Sequence, residues 1–105
     1  MTEAPSPALL RALADRIDAA PSIERRSGGP FGVVAAYLPG ERIEGLRLLE
    51  GGALEIHLVM RWGFTVVEVE REVLDATRDL WPSEAVHLVI DDIALGEPEL
   101  QPRGM

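Results

Sequence analysis

Two hydrophobic periods share this chain. Leu9, Leu10, Leu13, Ile17 and Ala20 fall on one side of a 3.6-residue wheel, with Arg11, Asp15 and Asp18 opposite. Ser6 then Pro7 supplies the start of that helix, because the serine oxygen accepts from an orphan amide and proline fits the first turn. Pro21 stops it, and Ser22 to Pro30 reads as a turn-rich connector. Strand-like runs follow at Phe31 to Leu38, Ile43 to Leu49 and Leu54 to Arg61, divided by Pro39-Gly40 and Gly51-Gly52. The first run is apolar on both faces. The last alternates, sending Leu54, Ile56, Leu58 and Met60 one way and Glu55, His57, Val59 and Arg61 the other. These runs predict an antiparallel meander.

Thr65-Val66-Val67-Glu68 is a capping box, in which the Thr65 hydroxyl reaches the Glu68 amide and the Glu68 carboxylate reaches back. Beyond it Val66, Val67, Val69, Val73, Leu74, Ala76, Thr77, Leu80 and Trp81 cover about half of a helical circumference. Glu68, Arg71, Glu72, Asp75, Arg78 and Asp79 fill the rest, and Pro82 ends the helix. A last strand, Ala85 to Ile93, sets Val86, Leu88 and Ile90 against His87, Val89 and Asp91.

The predicted order is α-β-β-β-α-β. A closing strand–helix–strand unit crosses over right-handed, so the last strand is expected parallel to Leu54–Arg61. Each helix has one apolar face, as does the sheet. The expected fold is therefore α+β with two layers, a four-stranded mixed sheet carrying two helices on one face. A single domain is expected over 6–95, with loose tails at 1–5 and 96–105.

Composition narrows the chemistry. The 105 residues include no Cys and no Lys, which removes thiolate nucleophiles, disulfides, zinc–thiolate sites, Schiff bases and a phosphate-loop lysine. A formal net charge of −8 opposes phosphate backbones, so no nucleic-acid partner is expected. No apolar run approaches the ~20 residues of a membrane span, and MTEAPSPALL lacks the basic start and apolar core of a signal peptide. The expected compartment is the cytoplasm, with no direct membrane insertion.

Phe31-Gly32-Val33-Val34-Ala35-Ala36-Tyr37-Leu38-Pro39-Gly40 leads into Ile43-Glu44-Gly45-Leu46-Arg47. Leu54-Glu55-Ile56-His57-Leu58-Val59 precedes Arg61-Trp62-Gly63-Phe64, and Val86-His87-Leu88-Val89-Ile90-Asp91-Asp92-Ile93 closes the pattern. In this order, over roughly Leu9 to Leu95, the segments resemble the short actinobacterial type of the alkaline shock protein family, the cell-envelope stress response proteins. Ala20-Pro21-Ser22-Ile23 departs from that family's Val-Pro-Gly-Val turn, and Trp62 replaces its usual Tyr. The resemblance implies a cytoplasmic, self-associating protein held at the membrane through a membrane-anchored partner. It implies no enzymatic activity and no cofactor.

Candidate sites are sparse. His57 and His87 lie in phase on the outward faces of neighbouring strands, and with Asp91 and Glu55 they are the residues available to a metal- or ligand-binding alternative. Asp91 and Asp92 are successive strand residues, so their carboxylates are expected to diverge. Gly28-Gly29-Pro30-Phe31-Gly32 feeds a strand and not a helix N-terminus, which argues against a phosphate loop. Ser6, Ser22, Ser27 and Ser83 sit at caps or in loops, outside any nucleophile elbow. The remaining anomaly is apolar: Val59 and Val89 lie mid-strand opposite the core face. With His57, Arg61 and His87 around them, they form the predicted surface for self-association or partner docking.

Overall fold

In the computed structural model, which describes residues 5–95, Ser6 accepts from the Leu9 amide at 3.1 Å and starts α1 (Pro7–Asp18). The helix buries Leu10, Leu13, Ala14 and Ile17 along the predicted stripe. Helix α2 (Val66–Thr77) opens with both arms of the capping box, Glu68 N to Thr65 Oγ1 at 3.1 Å and Thr65 N to Glu68 Oε1 at 2.8 Å. Its apolar arc is wider than its contact: Val69, Val73 and Thr77 are buried, whereas Val66 and Val67 are exposed. The Arg16 guanidinium joins the two helices, donating to Ala76 O at 2.9 Å and gripping both Asp79 oxygens at 2.8 and 3.1 Å.

The strands are β1 (Ile23–Arg26), β2 (Ala35–Leu38), β3 (Glu41–Glu44), β4 (Leu46–Leu48), β5 (Leu54–Arg61) and β6 (Val86–Ala94). A four-stranded mixed sheet forms around β5. One of its edges takes β4 at Leu54–Ile56 and β1 at Leu58–Met60, both antiparallel, and the other takes β6 in parallel. The parallel pairing is the one the crossover predicts. Leu54, Ile56, Leu58 and Met60 face α1 and α2, and with Leu10, Leu13, Ile17, Leu46, Val69 and Val73 they make the core. The α+β class and the four-stranded mixed sheet with two helices on one face are as expected.

The membership of the sheet is not. Ile23–Arg26, expected as connector, is a strand, because its backbone completes the edge of β5 that β4 is too short to cover. The Phe31–Leu38 run is extended only from Ala35, since Gly29 and Gly32 take positive φ and turn the chain before it. The Ile43–Leu49 run breaks in two at Gly45. Residues before the break pair with β2 in a separate two-stranded sheet, and residues after it pair with β5. No continuous meander forms.

Gly45 is where the chain cannot carry a side chain. Its φ is +89°, and a Cβ would meet Arg26 Cβ at 2.7 Å, His57 O at 3.1 Å and Ser27 N at 3.2 Å. The glycine lets the ends of β1 and β4 meet on one neighbour. The tails expected at 1–5 and 96–105 lie outside the described residues except for Pro5. Among the described residues, no helix is long and apolar enough to cross a membrane.

Gly45→Ala is expected to destabilise the fold by more than ~2 kcal/mol in urea unfolding, from backbone strain and the clash together. Gly40→Ala, at φ +80° with nothing within 4 Å of a new Cβ, is expected to cost only ~1 kcal/mol. The hydrogen bonds from Arg16 hold the Asp79 carboxyl below its ordinary pKa. A lowered folded-state pKa stabilises above the unfolded value, and the contribution fades as pH falls through the carboxylate range. Asp79→Asn should therefore melt slightly below the parent at neutral pH, with the two melting temperatures converging in acid.

Candidate functional site

The outward face of β5 carries Glu55, His57, Val59 and Arg61, and the register sets them beside β6: Glu55 opposite His87, His57 opposite Val89 and Val59 opposite Asp92. Pairing steps from Leu58↔Ile90 to Val59↔Asp92, so Asp91 is an extra residue in β6. This bulge overturns the expected divergence of the two carboxylates. Asp91 and Asp92 instead line one small cavity with Val59, of about 230 Å³.

His57 is the best-connected side chain on this face. Its Nδ1 lies 3.0 Å from Asp91 Oδ2 and 3.3 Å from Asp91 Oδ1. Because an ionised carboxylate only accepts, this contact places a proton on Nδ1. The other nitrogen, Nε2, is 3.3 Å from Glu55 Oε1 but lacks hydrogen-bond geometry and is buried without a partner. Glu55 is itself held by Arg47, through Nε at 2.8 Å and Nη2 at 2.6 Å. A row of charged and polar groups, Arg47–Glu55–His57–Asp91, therefore crosses from β4 to β6.

This row is roofed by its own chain. Residues Ser27 to Val34 fold back over it: Gly29 and Pro30 wall the cavity above Val59, and a Cβ on Gly29 would lie 3.9 Å from His57 Nδ1. Val34 N donates to Gly28 O at 2.9 Å and closes the roof on itself. His57 is left 8% exposed and Val59 4%. Neither is available as the open contact surface expected from the strand pattern. Of the other residues assigned to that surface, Val89 is half-buried and His87 is exposed. Arg61 is exposed and held by Glu24 Oε1 at 3.0 Å and Pro21 O at 3.1 Å. The missed signal was Gly28-Gly29-Pro30, which lets a chain lie flat on a sheet because it brings so little side chain with it.

The two histidines do not converge, because the register sets His87 against Glu55 and not against His57. Among the described residues, no group of three or more His, Cys, Asp or Glu side chains is placed to hold a metal ion. Ser6 caps α1, Ser27 Oγ accepts from Gly29 N at 3.1 Å, Ser83 lies in a short turn of 3₁₀ helix, and Ser22 is fully buried with no hydrogen-bond partner to its Oγ among the described residues. A cleft of about 670 Å³ lies between α1, β1 and β3, but its charges bond across it, Arg11 to Glu41 at 2.6 Å and Arg26 to Asp18 at 2.9 Å.

Exposed apolar side chains gather elsewhere. Phe31, Val33 and Tyr37 stand on the roof and its hairpin, and Val33 and Tyr37 border an apolar groove of about 390 Å³ floored by Leu10, Ala36 and Leu38. Trp62, Val66, Val67, Ile93 and Leu95 are exposed where β5 ends, α2 begins and β6 ends. Comparison of the chain with models of protein families, with curated proteins and with solved structures gives no match.

Asp91→Ala is expected to destabilise the fold by about 1–3 kcal/mol, since it strands a buried imidazole. The same change in a His57→Ala background should cost clearly less, and a urea-unfolding double-mutant cycle measures the difference.

Proposed function

We propose that this chain is a non-catalytic interaction protein of the alkaline-shock type, which acts by self-association and by docking to a membrane-anchored protein partner. The observation that carries the reading is the division of the surface. On the outer sheet face Glu55, His57 and Asp91 are largely covered and held close to one another, while large apolar side chains, Tyr37 at 70% exposure and Phe31 at 86% among them, stand in solvent. A catalytic site needs the reverse, with polar groups left accessible and poised. Exposed aromatic residues beside an apolar groove are what partner recognition uses.

The family assignment rests on the ordered motifs from Phe31-Gly32 to Asp91-Asp92-Ile93. The contact surface moves from the strand residues Val59 and His57 to the roof that covers them, where Phe31, Val33 and Tyr37 belong to the first of those motifs. Location in the cytoplasm, and a peripheral place at the membrane through the partner, follow from the same reading. A net charge of −8 favours such indirect attachment over direct binding to an anionic lipid surface.

The test is quantitative capture from membrane and soluble fractions of the source cells with tagged parent and Tyr37→Glu proteins. The parent should retain a membrane-anchored protein, and the variant should lose it at least ~tenfold, as for a contact hot spot. Equal retention by a folded Tyr37→Glu chain, or no membrane-anchored protein with the parent, counts against the reading.

A further inference from the structure

The two edges of the main sheet are finished differently. On one side β1 and β4 are short, with 4 and 3 residues, and the β2–β3 hairpin continues past them through the hydrogen bond from Gly45 N to Val34 O at 2.9 Å. On the other side β6 runs for 9 residues and, among the described residues, pairs with β5 alone. A strand edge leaves the amide and carbonyl of alternate residues facing outward, and long edges are normally blunted by proline, lysine or a bulge. From Val86 to Ile90 the edge has none of these. Its only bulge comes after them, at Asp91.

The core is open on that same side. On β5 the inward residues Leu54, Ile56 and Leu58 are all 0% exposed, whereas their partners on β6, Val86, Leu88 and Ile90, are only half-buried. Ile93 is 40% exposed. Both unpaired backbone groups and partly wet apolar side chains are satisfied by another strand laid along β6.

We propose that this strand is β6 of a second copy, paired antiparallel about a two-fold axis perpendicular to the sheet. Such an axis keeps the helices of both copies on one side of a continuous sheet and closes the assembly at two chains. The residues choose the register. With the axis at Val89, Leu88 of each copy faces Ile90 of the other on the helix side. On the outer side His87, exposed and without a side-chain partner among the described residues, lies across from Asp91 of the other copy, whose carboxylate is already bonded to His57 Nδ1 at 3.0 Å and has acceptor lone pairs left for a second imidazole, and this pairing occurs twice. Shifting the axis by one residue either way loses both His87–Asp91 pairs. Opposite partners directly across an antiparallel pair stabilise it, and like charges there oppose it. This inference rests on the self-association proposed above and specifies where it occurs.

The absence of native cysteine makes a direct test available. At the two-fold axis the Cβ atoms of the central pair lie ~4.5–5.5 Å apart, a separation that a disulfide spans after small adjustment. Val89→Cys should give a disulfide-linked dimer under mild oxidation at micromolar protein, far faster than Glu41→Cys on the distant hairpin. By light scattering the parent should weigh about twice 11.5 kDa, and His87→Asp should raise the dimer dissociation constant tenfold or more while leaving the circular dichroism spectrum unchanged. A dimer in which Val89→Cys cross-links no faster than Glu41→Cys, or which His87→Asp leaves intact, overturns the edge pairing and retains self-association. A parent that stays monomeric at millimolar concentration overturns both.

Discussion

Everything in the sheet meets at His57. Its carbonyl accepts from Ser27 N at 2.8 Å and its amide donates to Gly45 O at 2.8 Å, so one residue joins the end of β1 to the start of β4. Its ring then reaches Asp91 on β6 and approaches the Arg47–Glu55 pair. A residue whose backbone bonds reach the end of β1 and the start of β4 and whose ring bonds β6 leaves those strands little freedom of register. The close approach at Gly45 follows from it, because both flanking strands must crowd onto a single neighbour. The roof excludes water from the imidazole–carboxylate contact, which strengthens that bond and raises the cost of losing it.

The consequence is a molecule sealed on one side and unfinished on the other. Over His57 and Val59 the outer face is covered by Ser27 to Val34, where Gly28, Gly29 and Pro30 bring the backbone close and Phe31 and Val33 stand in solvent. The far edge ends in a long strand with half-covered apolar neighbours. Charge follows the same division, since three of the four arginines on the main sheet pair with carboxylates: Arg47 with Glu55, Arg61 with Glu24 and Arg26 with Asp18. Beside these paired charges the surface leaves Phe31, Val33, Tyr37, Trp62, Val66 and Val67 exposed, and the backbone edge of β6.

Much of this was readable along the chain. Both helices start at the caps that their side chains specify, and the β5 alternation names the core face residue by residue. Even the parallel closing strand follows, from the helical crossover between β5 and β6. The site was less legible. His57, Asp91 and Glu55 could be placed on one face by their period of two, but the period assumes a regular strand. The bulge at Asp91 breaks that assumption and turns two carboxylates that should diverge toward the same cavity.

What the sequence by itself determined are the features that depend on nearest neighbours: cap, helix face, strand face and turn. Pro39-Gly40 turns the chain between β2 and β3, and Thr65 with Glu68 starts α2 through bonds that lie within four residues. Only the tertiary structure decided that Ile23–Arg26 would be a strand, that Gly45 would split an apolar run between two sheets, and that Val59 would lie under a roof. The strand at Ile23–Arg26 and the burial of Val59 are settled by partners distant in the chain, and the split at Gly45 by its bonds to Val34, which precedes β2, and to His57 on β5. A four-residue segment takes strand form because an edge of β5 is vacant beside it, and a valine is buried because a glycine-rich loop has room to cross it. No local pattern encodes such a vacancy, since it exists only after the rest of the chain has packed.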